Sequence, residues 1–70
     1  MDIPVFLHAV FWTDRLHPEK SGILWANGTD TTVGEYGIPF STRREAEEAA
    51  EKISVRQETK ILTWKLLEYP

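Results

Sequence analysis

The hydrophobic positions of this chain have the period of a helix in one stretch, residues 41–53 (STRREAEEAAEKI), and indicate strands or turns elsewhere. The apolar side chains of this stretch recur at spacings of three and four, which places them on one stripe of an amphipathic helix. The stripe consists of Ala46, Ala49, Ala50 and Ile53. Because the stripe is mostly alanine, the helix should lie close to its support and add little side-chain volume, so the rest of the chain must supply the bulk of the core.

The start of this helix is marked by two candidate capping residues. Thr42, with Glu45 three positions later, forms a capping box, in which the Thr hydroxyl accepts a hydrogen bond from a free backbone amide. Ser41, one residue earlier, is the alternative N-cap. On the polar side, Arg44 and Glu48 are spaced for an i,i+4 ion pair worth about 0.3 kcal/mol.

The remaining apolar segments are rich in β-branched and aromatic residues, which indicates strands. The predicted strands are residues 4–13 (PVFLHAVFWT), 23–26 (ILWA), 31–36 (TTVGEY) and 60–69 (KILTWKLLEY). An amphipathic helix is the alternative interpretation of residues 60–69. Between the second and third strands, Asn27-Gly28 favours a type I′ turn, and a looser loop through Asp30 is the alternative.

The order of elements is therefore β-β-β-α-β, within one domain spanning residues 1–70. It predicts an α+β fold: a four-stranded, mostly antiparallel sheet with one helix packed on one face. We expect the fourth strand to lie beside the first, with the second and third strands on the other side of the first.

The first strand is apolar on both of its faces, which is typical of a central strand covered on two sides. One short helix covers one face of a sheet, so we expect the other face to be an exposed aromatic patch of the kind that marks an interaction site. The predicted partner-binding residues of that face are Phe6, His8, Val10, Trp12 and Trp25. The acidic side of the helix should help to steer the protein to a basic partner surface. Its residues are Glu45, Glu47, Glu48 and Glu51.

Composition narrows the classes of function. Eleven acidic residues outnumber eight basic ones, giving a net charge of −3, which argues against a nucleic-acid partner. There is no cysteine, so disulfides and thiolate metal sites are excluded. The longest apolar run, residues 5–12, is too short to span a bilayer, and it lacks the features of a signal peptide. We therefore expect a soluble, cytoplasmic protein that makes no membrane contact.

Residues that carry chemistry are sparse. His8 lies within the first predicted strand, where a histidine hydrogen-bonded to a neighbour is the usual case. Asp14 and His17 offer two metal ligands in a polar loop, whereas a stable site needs three or four. No nucleophile elbow or phosphate-binding loop is present in the sequence. We therefore expect no enzyme activity, no cofactor and no metal.

The favoured function is that of a small, acidic, non-catalytic protein-binding module. In one version of this hypothesis, the partner is a second copy of the chain, which forms a homodimer through the same face. In size, acidity and the lack of a catalytic set, the chain resembles in format the phage and mobile-element inhibitors of host machinery such as anti-CRISPR proteins; no motif carries a family match. The alternative is a nucleic-acid-binding module using an aromatic sheet face with Arg15, Arg43 and Arg44. A third hypothesis is a small-ligand or enzyme-subunit role around His8 and His17.

Overall fold

The computed structural model describes residues 5–32 and 34–66, which form one antiparallel sheet and one helix. The four strands lie in the order β3-β2-β1-β4, and every neighbouring pair is antiparallel. This confirms the predicted α+β fold and the position of β4 beside β1. The elements are β1 (Val5–Asp14), β2 (Ser21–Leu24), β3 (Asp30–Thr31), α1 (Arg43–Ile53) and β4 (Gln57–Leu66).

The backbone of the sheet is the ladder between β1 and β4, which pairs ten residues of each strand from Val5↔Leu66 to Asp14↔Gln57. The strand interpretation of the last segment is therefore confirmed. The observed strand begins at Gln57 rather than at residue 60. Residues 57–59 are polar, but they extend the strand because each pairs with a residue at the end of β1. Residue 4 and residues 67–69, which were predicted to belong to these strands, lie outside the described residues.

The predicted bounds of the other two strands are wrong. β2 is Ser21–Leu24 and β3 is only Asp30–Thr31, because the chain leaves the sheet after Leu24. The connection is the looser loop: the Trp25 amide donates to the Thr29 carbonyl at 3.0 Å. A type I′ turn needs two successive residues with positive φ, and no non-glycine residue in the described ranges has one. Residue 33, within the predicted third strand, lies outside the described residues.

The chain returns to β1 at Phe40, which pairs two residues away from the site where Leu24 pairs, on the same edge of β1. Val10 pairs with Leu24, and the next site of that row, His8, pairs with Phe40 through backbone hydrogen bonds of 3.0 and 2.7 Å. Residues 25–39, which include β3, therefore connect two neighbouring sites on the same edge of β1. Within this segment, the Ala26 amide donates to the Ile38 carbonyl at 2.8 Å.

Helix α1 begins at the predicted cap. Thr42 is the N-cap, and its side-chain oxygen accepts from the Glu45 amide at 3.2 Å. In addition, the hydroxyls of Thr42 and Ser41 donate to the Glu45 carboxylate at 3.1 and 3.3 Å. The two candidate caps thus act together, with Thr42 satisfying the free amide and Ser41 holding the carboxylate. In the part of the chain that the structure describes, no helix is long and apolar enough to cross a membrane.

The core has one apolar layer on each side of the sheet. Ala9 and Val10 are adjacent in β1, and both have no exposed surface because each lies in a different layer. We call the side that α1 covers the helix face; its layer is Val10, Phe40, Ala46 and Ala50, with Leu24, Ala49, Ile53 and Ile61 packed against it. We call the other side the helix-free face; its layer is Ala9, Ile23 and Trp25, with Phe11, Leu62 and Trp64 packed against it.

Candidate binding site on the helix-free face

Four of the five residues predicted for the exposed face lie on the helix face, where Phe6 is nevertheless 47% exposed. Val10 packs against α1, and alternation along β1 puts Phe6, His8 and Trp12 on the same helix face. Since both faces of β1 are apolar, the pattern alone could not show which one the helix would cover. Trp25 does lie on the helix-free face, but only 3% of it is exposed.

His8 is a buried histidine with a satisfied side chain. Its Nδ1 lies 2.9 Å from the hydroxyl of Thr63, which is its directly opposite neighbour on β4. No hydrogen-bonding atom of a buried described side chain lacks a partner. The arrangement matches the interpretation of His8 as a core histidine hydrogen-bonded to a neighbour.

Trp12 lies across the sheet on the helix face. Its ring covers Gly22, where an added Cβ would come within 2.8 Å of Cζ2 of the indole. The indole N–H donates to Oδ1 of Asp30 at 2.6 Å. Trp12 therefore spans β2 and reaches β3, and its polar group is occupied within the protein.

The helix-free face holds an aromatic cleft of about 360 Å³. Trp25 forms its base, with the Trp64 ring edge-on at 6.1 Å and 74° and the Tyr36 ring tilted at 6.4 Å and 56°. These centroid separations are within the range of favourable aromatic pairs. The residues lining this aromatic cleft are Ile23, Trp25, Gly34, Glu35, Tyr36, Leu62 and Trp64.

One wall of the aromatic cleft is irregular chain, and Trp25 holds it in place. The indole N–H of Trp25 donates to the Thr31 hydroxyl at 2.7 Å, and that hydroxyl donates to the Glu35 carbonyl at 3.3 Å. Gly37 lies directly against the Trp25 side chain, so closely that a Cβ there would overlap Cγ of Trp25. These contacts position Glu35 and Tyr36 at the rim without any strand hydrogen bonding of their own.

The aromatic cleft combines buried support with an exposed rim. Trp25 is buried, Leu62 and Trp64 are half-buried, and Tyr36 is 88% exposed. Of the seven lining residues, the sequence patterns predicted only Trp25 as a site residue and missed Ile23, Gly34, Glu35, Tyr36, Leu62 and Trp64. Leu62 and Trp64 could have been predicted as site residues, because alternation along β4 places them on one face and the pairing with β1 identifies that face. Tyr36 could not, because the sequence placed it within the predicted third strand.

The acidic residues of α1 lie on the side of the sheet opposite the aromatic cleft, and two of the four form ion pairs within the helix. Glu47 pairs with Arg43 at 2.8 Å, and Glu48 pairs with Arg44 at 3.4 Å, as its spacing predicted. Glu45 is occupied at the N-cap, as described above. Glu51 is exposed in the last turn. None of these four acids lines the aromatic cleft, but Glu45 and Glu48 line a second cleft, beside α1, that Trp25 also borders.

The arginines proposed for nucleic-acid contact are also engaged with the protein itself. Arg15 donates to the Ser54 carbonyl through Nε and Nη2, at 3.3 and 3.1 Å, and lies 3.6 Å from the Glu58 carboxylate. Arg43 and Arg44 are in the helix pairs just named. Arg15 lies in the loop after β1, whereas Arg43 and Arg44 lie on α1, and none of the three lines the aromatic cleft.

The loop after β1 is organised by Asp14. Its Oδ1 accepts hydrogen bonds of 2.9 Å from the amides of both Leu16 and His17, and these bonds hold the pKa of Asp14 below its ordinary value. His17 faces Glu19, with Nδ1 and Oε1 3.5 Å apart. Within residues 5–32 and 34–66, no three potential metal ligands come together. His8 is buried in the sheet, far along β1 from this loop, so the two histidines do not share a site.

Comparisons of this chain with protein-family models, with curated proteins and with solved structures found no match. The function must therefore be argued from the geometry of the aromatic cleft and its surroundings.

Proposed function

We propose that this protein is a non-catalytic binding module that takes a segment of a partner protein on its helix-free face. The observation that carries the proposal is the aromatic cleft, in which an 88% exposed Tyr36 and a half-buried Trp64 each pack against a buried Trp25. Tyrosine and tryptophan are the residues that contribute most to protein interfaces, because each combines a large rigid apolar surface with a polar tip.

The dimensions suit one large side chain of a partner. Pockets for small ligands run from about 300 to 1,000 Å³, and the aromatic cleft, at about 360 Å³, is at the small end of that range. Its mouth is open at Tyr36, so a side chain can enter while the chain that carries it runs over the half-buried apolar residues of the sheet. Phe11 and Leu62 provide that adjoining surface.

A foreign partner is favoured over a second copy by charge. Each copy carries a net charge of −3, so two copies repel one another, whereas a basic partner is attracted. The proposal also includes a basic surface on the partner, which the acidity of the chain supports. It further includes a role as a phage or mobile-element protein that inhibits machinery of the host, which the small size and acidity of the chain support.

Selection of short random peptides displayed on phage tests the proposal. Enriched peptides should bind the wild-type protein and lose about tenfold or more in affinity against Tyr36→Ala, since truncation of a central interface residue typically costs this much. Leu16→Ala is the matched control, because Leu16 is also an apolar side chain that is 85% exposed but lies in the β1–β2 loop. Its affinities should equal those of the wild type.

Two results would contradict the proposal. One is that no peptide is enriched above the blank support, or that enriched peptides bind Tyr36→Ala as tightly as the wild type. The other is a dimer in light scattering at high micromolar concentration that Tyr36→Ala abolishes, which would assign the face to a second copy.

A further inference from the structure

We infer that the aromatic cleft recognises a cationic side chain, a lysine or an arginine of the partner segment. This inference rests on the proposed function and names the group that enters the cleft. It follows from three properties of the lining residues: the arrangement of the rings, the position of the single charge and the apolar floor.

The rings form a corner rather than a flat platform. Trp64 stands at 74° to Trp25, and Tyr36 is tilted at 56° to Trp25. Tyr36 and Trp64, the two rings of this group that are accessible to solvent, line the cleft together with the buried Trp25, so a group at one point in the cleft lies against more than one aromatic ring. Because the face of an aromatic ring carries negative electrostatic potential, a cation at that point is attracted by each face within about 6 Å.

The charge at the rim has the complementary sign. Among the described residues lining the aromatic cleft, Glu35 carries the sole formal charge. Its backbone carbonyl is fixed by the Thr31 hydroxyl, which holds this residue beside Tyr36. A carboxylate next to aromatic faces favours an ammonium or guanidinium group over a neutral group of the same size.

The floor suits the rest of a basic side chain. Ile23 and Leu62 line the aromatic cleft beneath the rings. Lysine and arginine carry apolar stems that pack on such surfaces while the charged head stays near water. A wholly apolar side chain would satisfy the floor but would leave Glu35 without a partner.

The test uses capped peptides of the form Gly-Gly-Xaa-Gly-Gly, in which Xaa is lysine, arginine, trimethyllysine or norleucine. Norleucine supplies an apolar stem without the charge. Binding is followed by the NMR shifts of the indole N–H groups of Trp25 and Trp64 as each peptide is added. We expect the cationic peptides to bind about two- to fivefold more tightly than the norleucine peptide. The ranking among the three cationic peptides identifies the preferred head group.

One matched pair of variants and a third variant separate the local effect from general ones. Glu35→Gln should remove the preference for the cationic peptides, whereas Glu58→Gln, which changes the net charge equally but lies outside the aromatic cleft, should keep it. Tyr36→Leu should weaken the cationic peptides while leaving norleucine binding nearly unchanged, because it replaces a π face by an apolar side chain. All three positions are exposed, so the fold should tolerate these changes.

The inference is overturned if norleucine binds as tightly as lysine and arginine, if Glu35→Gln and Glu58→Gln have the same effect, or if no peptide shifts the indole signals. The proposed function is judged separately by the displayed peptides. A peptide that depends on Tyr36 but carries an apolar anchor would uphold the binding module and reject the cationic group.

Discussion

The indole N–H of Trp25 and the hydroxyl of Thr31 are joined by a hydrogen bond of 2.7 Å, and this bond ties the base of the aromatic cleft to the edge of the sheet. The neighbouring residue of β3, Asp30, accepts the indole N–H of Trp12 at 2.6 Å. Because Trp12 and Trp25 lie on opposite faces, the two-residue strand is held by one tryptophan from each side. Side chains thus supplement a backbone ladder that is too short to hold this edge by itself.

Thr31→Val should lower the free energy of unfolding by about 1–3 kcal/mol, because it leaves the indole N–H of the buried Trp25 without an acceptor. Valine keeps the β-branched shape, so the loss reports the hydroxyl. Chemical denaturation followed by tryptophan fluorescence measures the change. Thr31→Ser is the control, since it retains the hydroxyl, and it should be more stable than Thr31→Val. Equal stability of the two variants would mean that this hydrogen bond contributes nothing.

Gly37→Ala should lower the free energy of unfolding by about 1–3 kcal/mol, the usual effect of overpacking. The new methyl would overlap Cβ and Cγ of Trp25, which cannot move without moving the backbone. Gly22→Ala should be less costly, because the closest atom there is Cζ2 at the far end of the Trp12 ring. Denaturation curves of the two variants give the comparison, and a Gly37→Ala protein as stable as the wild type would show that the segment over Trp25 is not closely packed.

Thr42→Ala should destabilise the protein by about 1 kcal/mol through loss of the helix cap. Ser41→Ala should cost less than about 0.5 kcal/mol, since Ser41 bonds only the exposed carboxylate of Glu45. Urea unfolding monitored by far-ultraviolet circular dichroism compares the two. Thr42→Ser should restore most of the lost stability. A larger effect at Ser41 would make Ser41 the true cap.

Asp14 should make stability depend on pH in the acid range. Its pKa is lowered in the folded state, first by the hydrogen bond from the His17 amide and then by that from Leu16. Its contribution is therefore fully present above the ordinary aspartate pKa of about 3.9 and is lost as the pH falls through the lower folded value.

The measurement is the difference in unfolding free energy between the wild type and Asp14→Asn as a function of pH. Asparagine keeps an acceptor oxygen for the two amides but removes the charge. The advantage of the wild type should shrink as the pH falls through this window. An NMR titration in which the Asp14 carboxyl has its midpoint at or above the ordinary value would contradict the prediction.

The sequence was sufficient to predict those elements that depend on residues close together in the chain. The Thr42–Glu45 spacing predicted the N-cap, and β1 was recognisable because it is rich in β-branched and aromatic residues. The neighbour relation of β1 and β4 also followed from the order of the elements. These features depend on residues close in the chain or on simple rules of connection.

Features that depend on distant partners were not predictable. Ala9 and Val10 give β1 two apolar faces, and the choice of the face covered by α1 depends on packing that periodicity does not contain. Residues 31–36 have strand composition, yet after Thr31 the chain is drawn over Trp25 by contacts with Glu35 and Gly37. Tertiary packing overrode local propensity at this point.

The return of the chain at Phe40 has a consequence for how this protein can vary. Residues 25–39 enter and leave at adjacent sites of one row on β1, so a replacement that keeps Trp25 and β3 need not alter the register of β1 with β2 or with β4. Part of the aromatic cleft, including Glu35 and Tyr36, belongs to this exchangeable insert, while Leu62 and Trp64 belong to the fixed frame. One wall of the aromatic cleft can therefore be changed by rewriting one connection while the other wall is kept, much as antibodies diversify a variable loop on a constant framework.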